Sequence, residues 1–96
     1  MELEVEYEQS TSRVSLYQGR LSEVTRQSLD HLLAMAQRYR SEGDLRQAAD
    51  IWWTLLQEHS ETPQAQAAQD KLLELAHVYE REGFRHQARA FYQRLL

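Results

Sequence analysis

The chemical material of this 96-residue chain is four histidines, fifteen carboxylates and no cysteine, and spacing decides what these residues can do. A metal pair on a helix needs two histidines four residues apart, a spacing that His31, His59, His77 and His86 do not offer, and no HExxH occurs. The nearest approach to a site is Asp70, Glu74 and His77, which a helix would set on one face with Glu80 a turn further on. The same pattern suits a solvated acidic face. Glu74 and His77 are the pair through which a small catalyst or a catalytic accessory subunit would work. Nucleophilic catalysis needs Ser or Thr beside His and a carboxylate in a cleft, whereas the serines gather near the N-terminus and at capping positions. Gly19, Gly43 and Gly83 stand too far apart for a phosphate loop. Without cysteine there is no thiol catalysis, disulfide or Cys-ligated zinc. No catalytic, cofactor or metal site assembles from these residues, and a non-enzyme without a cofactor is expected.

Charge narrows the partners. A net charge of -4 and a pI near 5.5 argue against nucleic acid or anionic lipid. Arg81, Arg85, Arg89 and Arg94 cluster near the end, but Glu80 and Glu82 interrupt them. No apolar run approaches the roughly 18–20 residues that span a bilayer. The N-terminus has neither the basic start nor the apolar core of a signal peptide, and Glu2 stands where myristoylation needs glycine. A cytoplasmic chain with a protein partner, no nucleic acid and no membrane insertion is the expectation.

Positioning these groups falls to helices. With 42% hydrophobic residues, 3 Gly and 1 Pro, the chain is too apolar for disorder and too poor in turn formers for a loop-rich fold. Its length allows one domain. Sliding the chain by 40 places lays Ser22–Leu56 on Thr62–Leu96 with 11 identities in 35 positions, so the domain is a repeat. In each copy a capping residue, Ser22 or Thr62, opens a helix, and Gly43 or Gly83 closes it in the left-handed conformation. Apolar residues recur at helical spacing: Leu32, Met35, Ala36 and Tyr39, then Leu45, Ala48, Ile51, Trp52, Leu55 and Leu56 in copy one. Copy two answers with Leu72, Leu75, Ala76 and Tyr79, then Ala88, Phe91, Tyr92 and Leu95.

The order Ala36, Tyr39, Gly43, Ala48, Trp52, repeated as Ala76, Tyr79, Gly83, Ala88, Tyr92, resembles the tetratricopeptide repeat over residues 22–96. The period is longer than the family's 34 by six residues, placed in a longer first helix around residues 63–69, and Leu32, Leu72 and Leu55 replace the family's usual residues. The fold expected is all-α: two antiparallel helical hairpins, a fragment of a right-handed α-α superhelix, after a loosely ordered acidic segment 1–21. The resemblance implies a non-catalytic interaction module or small adaptor, with a homo-oligomerising regulatory or accessory subunit as the alternative. It puts the partner groove on the first helices, at Asp30, Leu33, Gln37 and Arg40, then Asp70, Leu73, His77, Glu80 and, at the edge, Arg81. Leu33 and Leu73 form the groove's apolar floor or pack between hairpins. Leu33 and Gln37 occupy places where the family's clamp for a C-terminal carboxylate needs polar or basic residues, so an amphipathic helix or short extended peptide suits the groove better.

Three features fall outside the repeat. Glu2, Glu4, Glu6 and Glu8 alternate with Leu3, Val5 and Tyr7, as in an extended strip with one apolar edge; segment 1–21 is either a disordered acidic tail or a strip that docks. Trp53, beside Trp52, lies about 100° off the stripe and is either packed under residues 14–21 or an outward anchor for a partner. Phe91, Tyr92, Leu95 and Leu96 end the stripe without a polar cap. They form a homodimer face, are covered by segment 1–21, or abut more chain.

Overall fold

The computed structural model describes the backbone of residues 2–96 and the side chains of residues 22–96. Its elements are α1 (Glu2–Ser41), α2 (Leu45–Glu58), α3 (Pro63–Arg81) and α4 (Arg85–Leu95), an all-α chain of two antiparallel hairpins. Helix α1 packs on α2, α2 on α3 and α3 on α4, while α1 also touches α3. That order leaves α2 and α3 in the middle.

Both hairpins turn on a glycine with positive φ, +84° at Gly43 and +88° at Gly83. Around each, the backbone closes a Schellman motif. The Gly43 and Asp44 N–H groups donate to the carbonyls of Arg40 (3.0 Å) and Tyr39 (2.8 Å), and those of Gly83 and Phe84 to Glu80 (3.2 Å) and Tyr79 (2.8 Å). These bonds satisfy carbonyls that a helix end leaves without partners. The Asp44 carboxylate accepts from the Gln47 N–H to start α2, and Thr62 Oγ1 accepts from the Ala65 N–H to start α3 just before Pro63. Phe84 replaces that aspartate in the second turn and caps nothing; its ring instead lies edge-on to Tyr79 at 6.2 Å.

Small residues let the helices approach: Ala36, Ala48, Ala65, Ala68 and Ala76 are completely buried. Trp52, Leu55 and Leu72 fill the space between them, with Tyr39 and Tyr79 half-buried at the edge.

Three expectations are corrected here. Ser22 does not cap a helix, and residues 2–8 are not an extended strip: α1 runs unbroken from Glu2 to Ser41. A strand with no sheet to join leaves its backbone unpaired, whereas a helix pairs it within the segment, and residues 2–21 contain no proline to stop it. The docking expected of Leu3, Val5 and Tyr7 lies outside the described side chains. Trp53 is no outward anchor, being only 7% exposed. Because α2 has neighbours on both sides, Trp52 and Trp53 are both enclosed. Trp53 meets the edge of Phe91 at 5.4 Å, under α4, with the Arg94 guanidinium 4.1 Å above it; the packing expected of residues 14–21 lies outside the described side chains.

The third correction concerns the last helix. Ala88, Phe91 and Leu95 share one face by helical spacing and turn inward, and Phe91 also packs against Tyr79 at 5.5 Å. Tyr92 is half-buried against α3, which leaves Leu96 alone open at 96% exposure. On the outer side, the repeat puts Arg85, Arg89 and Gln93 where α2 has Leu45, Ala49 and Trp53. The outer side of α4 is therefore polar, and the unfinished apolar face expected from Phe91, Tyr92, Leu95 and Leu96 does not form.

Candidate partner-binding face

Two hydrogen bonds tie α1 to α3. Gln64 Nε2 donates to Asp30 Oδ1 at 2.9 Å, and Arg40 Nη2 donates to Glu74 Oε1 at 2.8 Å. Both links advance by ten residues on each helix, so the two run parallel and in register for about 15 Å. Together they present one face. On it Asp30, Gln37, Asp70, His77, Glu80 and Arg81 are exposed, while Leu33, Leu73 and Arg40 are half-buried. Leu33 packs against the edge of the core. The alternatives of groove floor and inter-hairpin packing thus meet in one residue, which has one side in the core and one open.

The face carries both signs of charge in paired form. The hydrogen bond from Arg40 holds the Glu74 carboxyl below its usual range, helped by Lys71 Nζ at 3.6 Å, and the same bond raises Arg40. Asp70 accepts from Gln66 Nε2 at 3.3 Å. Glu74 is therefore paired with Arg40 and Lys71, while His77, the companion expected for it, bonds Tyr92.

His77 belongs to a different group. Tyr92 Oη donates to Glu80 Oε2 at 2.9 Å and lies 2.8 Å from His77 Nδ1. A hydroxyl has one proton and the carboxylate can only accept, so by elimination Nδ1 carries the proton and donates to Tyr92. Burial and then the bond to Glu80 push the Tyr92 hydroxyl above its usual value. This arrangement joins α4 to the face, since Tyr92 spans from the last helix to two residues of the expected groove. Beside it an open hollow of about 710 Å³ is bordered by Glu80, Arg85, Arg89 and Gln93.

Sequence reasoning missed Glu74 and Gln64 as partners across the helices, and gave Tyr92 to a self-association surface. The signal for Tyr92 was present in the repeat, because its counterpart Trp52 is completely enclosed. Among the described residues no three His, Asp or Glu side chains gather as a metal site, and no helix is long and apolar enough to cross a membrane. What the face offers chemically is hydrogen bonds, paired charges and two leucine flanks. No protein-family model matches the chain, and no match was found among curated proteins or solved structures.

Proposed function

We propose that this chain is a non-catalytic interaction module of tetratricopeptide-like build, a small cytoplasmic adaptor or assembly factor that takes an amphipathic helix or short extended peptide along the α1–α3 face. The observation that carries the reading is the pairing of half-buried Leu33 and Leu73 with exposed polar groups of both signs on two parallel helices. Apolar contacts would supply affinity, and Gln37, Asp70, His77, Glu80 and Arg81 would set orientation. Self-association fits the same reading, because a homodimer presents the face twice.

The test compares the immobilised full chain with its Leu73→Glu and Arg40→Glu variants. All three are exposed to the same lysate, and retained proteins are quantified by mass spectrometry beside far-UV circular dichroism. Proteins held by the native chain and lost from both variants, at unchanged helicity, support the reading. Equal retention by all three refutes it, and loss of helicity in Leu73→Glu assigns that leucine to the core.

A further inference from the structure

Repeat-related side chains on α2 and α4 meet opposite surroundings. Leu45, Ala49 and Trp53 follow one another at four-residue spacing along the flank of α2 that the second hairpin covers. Ala49 and Trp53 are buried there, bordered by Tyr79 from α3 and Phe91 from α4. Forty residues on, the same flank of α4 carries Arg85, Arg89 and Gln93, all exposed. Copy two thus keeps the place where a further helix would lie and changes its lining from apolar to basic. The open hollow of about 710 Å³ lies at this place, with Ala88 and Tyr92 as its floor and Glu80 on its α3 side.

The charges around the hollow are unequally engaged. Glu80 accepts from Tyr92 Oη at 2.9 Å and lies 4.0 Å from His77 Nδ1. Among the described residues, neither Arg85 nor Arg89 makes an ion pair. Arg94 is turned away from them, over Trp53. Arg85 and Arg89 stand one above the other at a rise of about 6 Å, and like charges at this spacing disfavour the helix unless an anion lies beside them. Carboxylates at the same spacing match this pair.

The corresponding place in copy one shows what kind of element fits. There α3 lies against α1 and α2, burying Ala68, Leu72 and Leu75 and giving Glu74 to Arg40. The seat takes a helix with small and branched apolar residues inward and a carboxylate toward a base. In copy two the bases move to the other wall: Glu80 stands for Arg40, while Arg85 and Arg89 stand for Leu45 and Ala49. The carboxylates of an incoming helix therefore belong on the α4 side. We propose that the α3–α4 flank docks an acidic amphipathic helix of a partner protein. Its carboxylates, four residues apart, lie on Arg85 and Arg89, and its apolar side lies on Ala88 and Tyr92. This inference goes beyond the groove reading, which it meets only at Glu80, and its variants leave the α1–α3 face unaltered.

The experiment is fluorescence anisotropy with the full chain and a dye-labelled synthetic helix of about 15 residues, carrying an alanine and leucine stripe beside glutamates four apart. The probe should bind, and its affinity should fall as salt rises. Arg85→Glu with Arg89→Glu should weaken binding by about tenfold or more, and Arg85→Gln with Arg89→Gln by less. Arg38→Glu with Arg46→Glu makes the same change in net charge on exposed residues of the first hairpin and should bind as the native chain does. Far-UV dichroism accompanies each variant; where charge reversal lowers helicity, the glutamine pair carries the comparison. The proposal is overturned by a probe that does not bind, by equal binding of a probe with lysine in place of glutamate, or by equal loss in the two charge-reversed chains. It is also overturned if the full chain sediments as a dimer that the Arg85 and Arg89 variants dissociate, which gives the flank to a second copy.

Discussion

Replacing Trp53 by alanine tests the packing of the two hairpins most directly. An indole buries on the order of 200 Å², and Trp53 keeps only 7% of its surface exposed. At about 25 cal/mol per Å² this corresponds to about 5 kcal/mol, an upper figure because the unfolded chain already hides part of the ring. A reduction of 10–40% on that ground leaves roughly 3–4.5 kcal/mol, within the usual range for removing a core tryptophan. The edge contact with Phe91 and the Arg94 guanidinium 4.1 Å above the ring belong to the same loss and are not added separately. The assay is urea unfolding of the native chain and of Trp53→Ala and Trp53→Phe, followed by far-UV dichroism. Trp53→Ala should lower stability by about 3–4.5 kcal/mol. Trp53→Phe, which keeps an aromatic edge for Phe91, should recover about half of that loss. A cost below about 1 kcal/mol for Trp53→Ala, the level of an ordinary surface substitution, would refute the enclosure of the ring between α2 and α4.

Two further outcomes follow from the hydrogen bonds. Thr62→Ala removes both the cap on the Ala65 N–H and the 2.7 Å donation to the His59 carbonyl, and should cost about 1–2 kcal/mol in thermal or urea unfolding, while Thr62→Ser recovers most of it. A double-mutant cycle on Arg40 and Glu74 should give a coupling of at most about 1 kcal/mol, since the pair is exposed. The Glu74 pKa is lowered in the folded chain, so this coupling is present above the ordinary glutamate pKa and lost as pH falls from there through the lowered value; Glu74→Gln removes that part of the acid dependence.

Where the sequence read correctly, local geometry was decisive. Gly43 and Gly83 announced the turns because few other residues accept positive φ, and Thr62–Pro63 announced α3 because the cap and its neighbour act within one turn. Ala36 and Ala48, like Ala76 and Ala88, lay where the helices cross. The misreadings came where helical periodicity says which residues share a side but not which side is covered. Trp53 looked exposed because copy two has Gln93 there, yet α2 is flanked and α4 is not, so repeat-related positions meet different surroundings. Residues 2–8 alternate in type, a pattern that a helix tolerates when no sheet is at hand. Of the residues expected on the face, Asp30, Arg40, His77 and Glu80 make hydrogen bonds between helices. Their partners Gln64 and Glu74 depended on the register of α1 against α3, and Tyr92 on that of α4 against α3, which no single segment encodes.

The order in which the helices touch has a consequence for how the chain finds its shape. Apart from the contact of α1 with α3 and the reach of Trp53 from α2 to Phe91 and Arg94 on α4, each helix packs on its next neighbour along the chain, and both hairpins are joined by tight glycine turns. Little loop entropy has to be overcome before a contact forms, which places the chain among topologies that fold quickly. It also gives the two hairpins unequal resistance to opening. Helices α2 and α3 are each held from two directions, whereas α4 is held mainly through Ala88, Phe91, Tyr92 and Leu95. Partial unfolding is therefore cheapest by peeling α4 away. Such an excursion would uncover Trp53 and release the Tyr92 bond to His77 and Glu80 while leaving Arg40 on Glu74.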